Sequence, residues 1–157
     1  MTGPLLRRGR CHVFCEEVAL DEGLIPFDMA IRRVDDPAIL IPELFRQIDP
    51  GFQDRVRPGD IIVAGRNFCC GKPHLQGFIA MASLGLSVIC TSMPYKAMRG
   101  AVSKGVPVMT GVDLNVAFAP NVQNVVIVRA LHEYRNLFDP TDYTDQPGVT
   151  TVLTFGL

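Results

Sequence analysis

Between residues 59 and 109 three short apolar runs alternate with two amphipathic segments. Ile61 to Ala64 is apolar at every position and is opened by the turn sequence Pro58-Gly59-Asp60. A run this short and this uniformly apolar suits a strand covered on both faces, as in a parallel sheet. Pro73 follows Gly71 and Lys72, and proline is favoured in the first helical turn, where its missing N–H costs nothing. From there Leu75, Phe78, Ile79, Ala82 and Leu84 recur at helical spacing until Gly85 supplies a stop. Ser87 to Cys90 repeats the buried-strand pattern. Pro94 reads as a second helix start, Ala97, Met98, Ala101 and Val102 form the apolar face, and Gly105 ends that helix before a third strand, Val106 to Met109. Strand–helix–strand–helix–strand predicts a parallel α/β unit with right-handed crossovers.

The flanking pattern is less regular. Residues 10 to 18, RCHVFCEEV, read as a first strand leading into an acidic loop. Asp36-Pro37 is a capped helix start, and Ile39, Leu40, Glu43, Leu44 and Gln47 continue a short amphipathic helix that Pro42 strains or kinks. Asn124 to Val128 and Val149 to Phe155 are β-rich runs separated by the turn signals Asp139-Pro140 and Gln146-Pro147-Gly148, which predicts closing strands of a small mixed sheet. His132 and Glu133 lie between them as ordinary surface residues. With no repeat, linker or low-complexity tract, residues 1–157 read as a single domain, and that length suffices for a real core.

Composition narrows the functional classes. The net charge is −1 with both signs interspersed, and no basic block or aromatic-and-basic pattern points to nucleic acid. No apolar stretch approaches the ~20 residues of a membrane span. The opening MTGPLLRRGR has no apolar leader core, so a cytoplasmic protein is the expectation. Five cysteines, an odd number, do not suggest a disulfide framework. Cys11, His12 and Cys15 have a loose resemblance to a metal motif but lack a second ligand pair, so no metal is assigned to this chain. Cys90 reads as a small buried hydrophobe.

In parallel α/β sheets ligands sit beyond the carboxyl ends of the strands. The turn from Asn67 to His74, with Cys69, Cys70, Gly71 and Lys72 between, lies at that end of the first central strand. A helix start there offers free N–H groups and the positive end of a helix dipole, and Lys72 and His74 add cationic and proton-handling groups. An anion such as a carboxylate or phosphate is the ligand this chemistry suits. Judged on spacing alone, the turn reads first as an ordinary strand-to-helix connection with surface lysine and histidine.

Asn67-Phe68-x-Cys70-Gly71, preceded by Pro58-Gly59-Asp60-Ile61-Ile62-Val63-Ala64-Gly65, resembles the small subunit of 3-isopropylmalate dehydratase and, more broadly, the swivelling domain of the aconitase superfamily. Ile48-Asp49-Pro50-Gly51-Phe52 upstream, and Arg99 and Gly105-Val106-Pro107-Val108 downstream, fit the same pattern, so the resemblance covers roughly residues 10 to 110. It implies an α/β swivelling β/β/α-type fold with a parallel core and flanking strands. It also implies a hydro-lyase subunit acting on a hydroxy-carboxylic acid, with a [4Fe-4S] cluster held by a separate large subunit and not by this chain.

Departures from the family pattern matter as much. Where the family carries Ser-Ser-Arg-Glu-His, with a serine base and a substrate-binding arginine, this chain has Lys72-Pro73-His74-Leu75-Gln76. The family's Ser-Phe-Ala-Arg is Ser92-Met93-Pro94-Tyr95, so a second substrate arginine is absent. Glu16, Glu17 and Asp21 echo an acidic family loop that reads either as orienting partner residues or as solvated surface. The segment 22–35, with Arg32 and Arg33, corresponds to a family loop that helps select the substrate's side group.

What the resemblance implies for the site is therefore Lys72 or His74 as catalytic base, with Asn67, Cys70, Gly71 and Arg99 binding substrate. Two other readings stand beside it. One is a non-catalytic carboxylate-binding or regulatory module with the same fold. The other is a lone domain using Cys69 or Cys70 as a thiolate stabilised near a helix N-terminus.

Overall fold

The computed structural model describes residues 5–111, 127–130 and 151–155, with side chains over 9–111. Its centre is a four-stranded, wholly parallel sheet in the order β2-β3-β4-β5, formed by β2 (Cys11–Val13), β3 (Ile61–Ala64), β4 (Ser87–Cys90) and β5 (Val108–Met109). Register places Ile61, Ile62, Val63 and Ala64 opposite Ser87, Val88, Ile89 and Cys90. All eight of these residues are buried, as expected for central strands covered on both faces. The crossovers are α4 (Gln76–Ser83) and α5 (Tyr95–Ser103).

A second sheet has the order β1-β7-β6, formed by β1 (Leu5–Gly9), β6 (Ile127–Ala130) and β7 (Thr151–Phe155). β1 runs antiparallel to β7, and β6 parallel to β7. The chain passes from one sheet to the other at Arg10. There the buried Asp60 carboxylate accepts the Arg10 amide at 3.0 Å, the Arg57 amide at 2.8 Å and the His12 imidazole at 2.8 Å. His12 is thus tied to Asp60 and set edge-on to the Phe52 ring, 5.0 Å between centroids. Among the described residues no group of three His, Cys, Asp or Glu is placed to hold a metal ion. None of the described helices is long and apolar enough to cross a membrane.

Several boundaries differ from the sequence pattern. α4 begins at Gln76, not Pro73, because the chain from Cys70 to His74 is bonded to the segment at residues 17–20 instead of turning into a helix. α5 begins one residue after Pro94, which occupies the N-cap. The third strand shrinks to Val108–Met109, since Val106 donates back to the Ala101 carbonyl and Pro107 has no N–H. Asp36 caps α2 (Pro37–Leu40) as read, its carboxylate accepting the Ala38 amide at 2.9 Å, but Pro42 leaves only a 3-10 turn, Ile41–Glu43, beyond it. The strand read over residues 10–18 ends at Val13.

Three short elements went unread: a wide helical turn at Leu20–Leu24, α1 (Phe27–Ile31) and α3 (Phe52–Arg55). So did β1, a charged stretch whose partner lies at the other end of the sequence. Asn124 to Val126, His132, Glu133 and both downstream turn signals fall outside the described residues.

Candidate functional site

All four parallel strands point the same way, so the loops after β2, β3 and β4 leave from one edge of the sheet. The loop from Gly65 to Leu75 is the longest of the β3–α4 and β4–α5 connections and is bonded on both sides. On one side the Asn67 amide donates to Ser92 Oγ at 2.8 Å and the Phe68 amide to the Ser92 carbonyl at 3.0 Å. On the other, the Cys69 amide donates to the Val18 carbonyl at 2.8 Å and the Leu20 amide to the Cys70 carbonyl at 2.7 Å, closing a bridge between Ala19 and Cys70. The path demands left-handed backbone at Asn67 (φ 55°), Cys69 (φ 65°) and Gly71 (φ 83°). At Gly71 the left-handed backbone favours glycine, and a side chain there would also make the Asp21 carboxylate shift.

Phe68 explains why the loop keeps this shape. Its side chain is fully buried and stacks on Phe45 at 6.4 Å. Phe45 in turn contacts Phe14 at 4.1 Å and Phe52 at 4.9 Å. The aromatic cluster under the loop therefore draws on Phe14 just after β2, on Phe52 of α3 and on the chain between α2 and α3.

The residues singled out from sequence occupy distinct positions. Lys72 is exposed, and its ammonium rests over the Phe27 ring, 4.7 Å from the centroid. His74 is half-buried; its Nε2 donates to the Leu20 carbonyl at 3.0 Å, while Nδ1 is buried without a hydrogen-bond partner. Burial pushes the His74 pKa below its ordinary value, against the opposing pull of the Leu20 carbonyl, Asp21 and the Gln76 side chain. Cys70 Sγ lies 3.5 Å from the Glu17 carbonyl. Asn67 is exposed at the loop's outer face. Arg99 is exposed on α5, with its guanidinium 5.7 Å from the Tyr95 ring centroid.

Thiol chemistry is opposed by the environment. Burial pushes Cys69 well up and Cys90 up to about 12, and Cys70 is raised by burial and by the carboxylates of Glu17 and Asp21. A helix N-terminus does not offset this, because α4 starts six residues beyond Cys70.

Three contributors were not read as site residues from the sequence. Ser92 holds two loop amides, Asp21 packs against Gly71, and Phe27 carries Lys72. Asp21 was read as orienting partner residues or as solvated surface, not as a contact of the turn, and Phe27 gave no signal beyond following Ile25-Pro26. Glu16 pairs with Arg66 through two 3.0 Å bonds, which lowers the carboxyl pKa on the exposed rim.

No family model matches the chain. Individual relatives do. The 3-isopropylmalate dehydratase small subunit 1 of Methanopyrus kandleri is 35% identical over 109 residues, 68% of this chain and 62% of the relative. Small subunit 2 of the same organism is 38% identical over 104 residues, 63% of this chain and 58% of the relative. The methanogen homoaconitase small subunit of Methanocaldococcus jannaschii is 34% identical over 111 residues, 69% of this chain and 64% of the relative. A crystal structure of 3-isopropylmalate dehydratase from M. jannaschii superposes with a TM-score of 0.57 at 35% identity, covering 62% of this chain and 57% of that one. The matched region thus spans less than two thirds of each of these relatives. By sequence and by fold, this chain is a relative of the 3-isopropylmalate dehydratase small subunits and shares their α/β architecture.

Proposed function

We propose that this chain is the small subunit of a heteromeric, cytoplasmic hydro-lyase acting on a hydroxy-carboxylic acid, with a large subunit carrying an iron–sulfur cluster. The carrying observation is the loop from Asn67 to His74, bound at the carboxyl edge of the sheet and presenting a cation, Lys72, to solvent. When bound, such a cluster supplies a Lewis acid for a departing hydroxyl.

This chain's share of the chemistry is gripping and proton transfer. Among the described residues no carboxylate lies within ion-pair range of Lys72, so its ammonium is available to a substrate carboxylate. Alternatively the same nitrogen, in its amine form and not gripping the carboxylate, is the base, since Lys72 is exposed where both His74 nitrogens are engaged or buried. His74 has one nitrogen engaged and the other buried, so its part is to hold the Lys72 segment onto Leu20. Asn67, Cys70 and Gly71 shape the loop around the bound carboxylate, and Arg99 supplies a second cation from α5.

Anaerobic purification of the chain from its native lysate should bring down a larger partner containing iron and sulfide, and this complex should eliminate water from a hydroxy-acid. Lys72→Ala should then lower turnover by about 10²–10⁴-fold, the range for a lost acid–base group. Turnover within a few-fold of wild type would refute the assignment of Lys72. A non-catalytic carboxylate-binding module is the second reading, favoured by one observation: the Phe27 contact engages lysine's ammonium form, which grips anions and does not take protons. Ligand binding by the complex with no turnover of any hydroxy-acid would select it.

A further inference from the structure

Phe27 joins α1 to the Lys72 loop, and the two residues lie 45 positions apart with no shared motif. Its ring does two things. One face receives the Lys72 ammonium at 4.7 Å, and the ring also lies tilted against the His74 imidazole, 6.0 Å between centroids. α1 has no fully buried residue; Met29 packs against the core and Phe27 is half-buried beside the turn. Lysine has a long, flexible stem, and an exposed ammonium ordinarily samples many positions. Here it follows a left-handed glycine and precedes Pro73, whose ring restricts the lysine backbone to extended conformations. Asp21, beside the turn, packs on Gly71 without pairing with the ammonium.

We propose that Phe27 is a positioning residue: its ring is the platform that fixes the Lys72 ammonium for a ligand carboxylate. The proposal rests on the reading of Lys72 as an anion-gripping group. It adds that grip strength depends on a π face supplied by α1, and not merely on apolar volume. A carboxylate approaching from solvent meets the ammonium on the side away from the ring, so ring and ligand occupy opposite sides of one cation. The ordering entropy of the lysine is then largely settled before the ligand arrives.

The test uses the full chain and malate as the probe, with NMR observation of the Lys72 ε-methylene. In wild type that signal should lie upfield of the other lysines, because it sits over an aromatic face. It should move on malate addition. Phe27→Tyr keeps the face and should preserve both behaviours. Phe27→Leu keeps apolar bulk against His74 but removes the face. It should return the signal to the ordinary lysine position and weaken malate about two- to five-fold, the equivalent of ~0.5–1 kcal/mol for an exposed cation–π contact. An ordinary Lys72 position in wild type, or malate affinity unchanged in Phe27→Leu while lost in Lys72→Met, would overturn the platform and leave the anion-gripping reading standing. Malate binding that ignores Lys72→Met, or no malate response in wild type, would remove the gripping reading and the platform with it.

Discussion

His74 shows how a residue's role turns on which of its atoms are available. Its Nε2 is held by the Leu20 carbonyl and its Nδ1 is buried and unpaired. Protonation would place a second N–H in that buried position, so burial depresses the folded-state pKa below 6.5. The unfolded chain therefore binds the proton more readily. Stability contributed by neutral His74 is fully present above the unfolded value and is lost as pH falls from about 6.5 toward the lower folded value. Urea unfolding at a series of pH values should show this decline in wild type and a shallower one in His74→Gln; parallel curves would contradict it.

That histidine was visible in the sequence as a polar residue near a turn, but its orientation was not. The same holds for Lys72. Its charge could be read directly, whereas the ring beneath it comes from a helix with no fully buried residue and no periodic signal.

Among the elements, the loop between β3 and α4 behaves as a fixed part because Phe68 anchors it in an aromatic cluster. Phe68→Ala should cost about 3–5 kcal/mol, the range for removing a buried phenylalanine. It should also speed hydrogen exchange at the Phe68 and Cys69 amides, whose acceptors are the Ser92 and Val18 carbonyls. Stability loss without faster exchange there would mean that the hydrogen bonds, not the ring, hold the loop.

Element type was legible where periodicity was strong. β3, β4, α4 and α5 each occupy the expected part of the chain, and the αL stops at Gly85 and Gly105 have positive φ as their glycines suggested. The start of α4 was displaced because a proline signal is local. The hydrogen bonds that keep residues 70–74 out of the helix come from more than 45 positions away.

The whole molecule is tied together near the crossing between its two sheets by one buried carboxylate. Asp60 accepts from Arg10 just after β1, from His12 in β2 and from Arg57 before β3. Asp60→Ala leaves a buried imidazole and two amides without their acceptor. It should destabilise the chain by about 3–5 kcal/mol, read as a lower urea midpoint. A midpoint near wild type would show that water reaches these groups. Nothing in the sequence marked this cluster, since His12 stood between two cysteines and suggested a metal motif instead.

By itself the sequence determined the parallel α/β core, the stops at its glycines and the position of the loop between β3 and α4, but not the start of α4, which lies beyond the turn where the helix N-terminus was expected. These follow from periodicity and from single-residue backbone limits, which act over a few neighbours. The tertiary structure alone decided that His12 faces Asp60, that His74 faces Leu20 and that Lys72 rests on Phe27. Each of those pairs joins residues 45 or more positions apart, and only packing of the folded chain sets such distances.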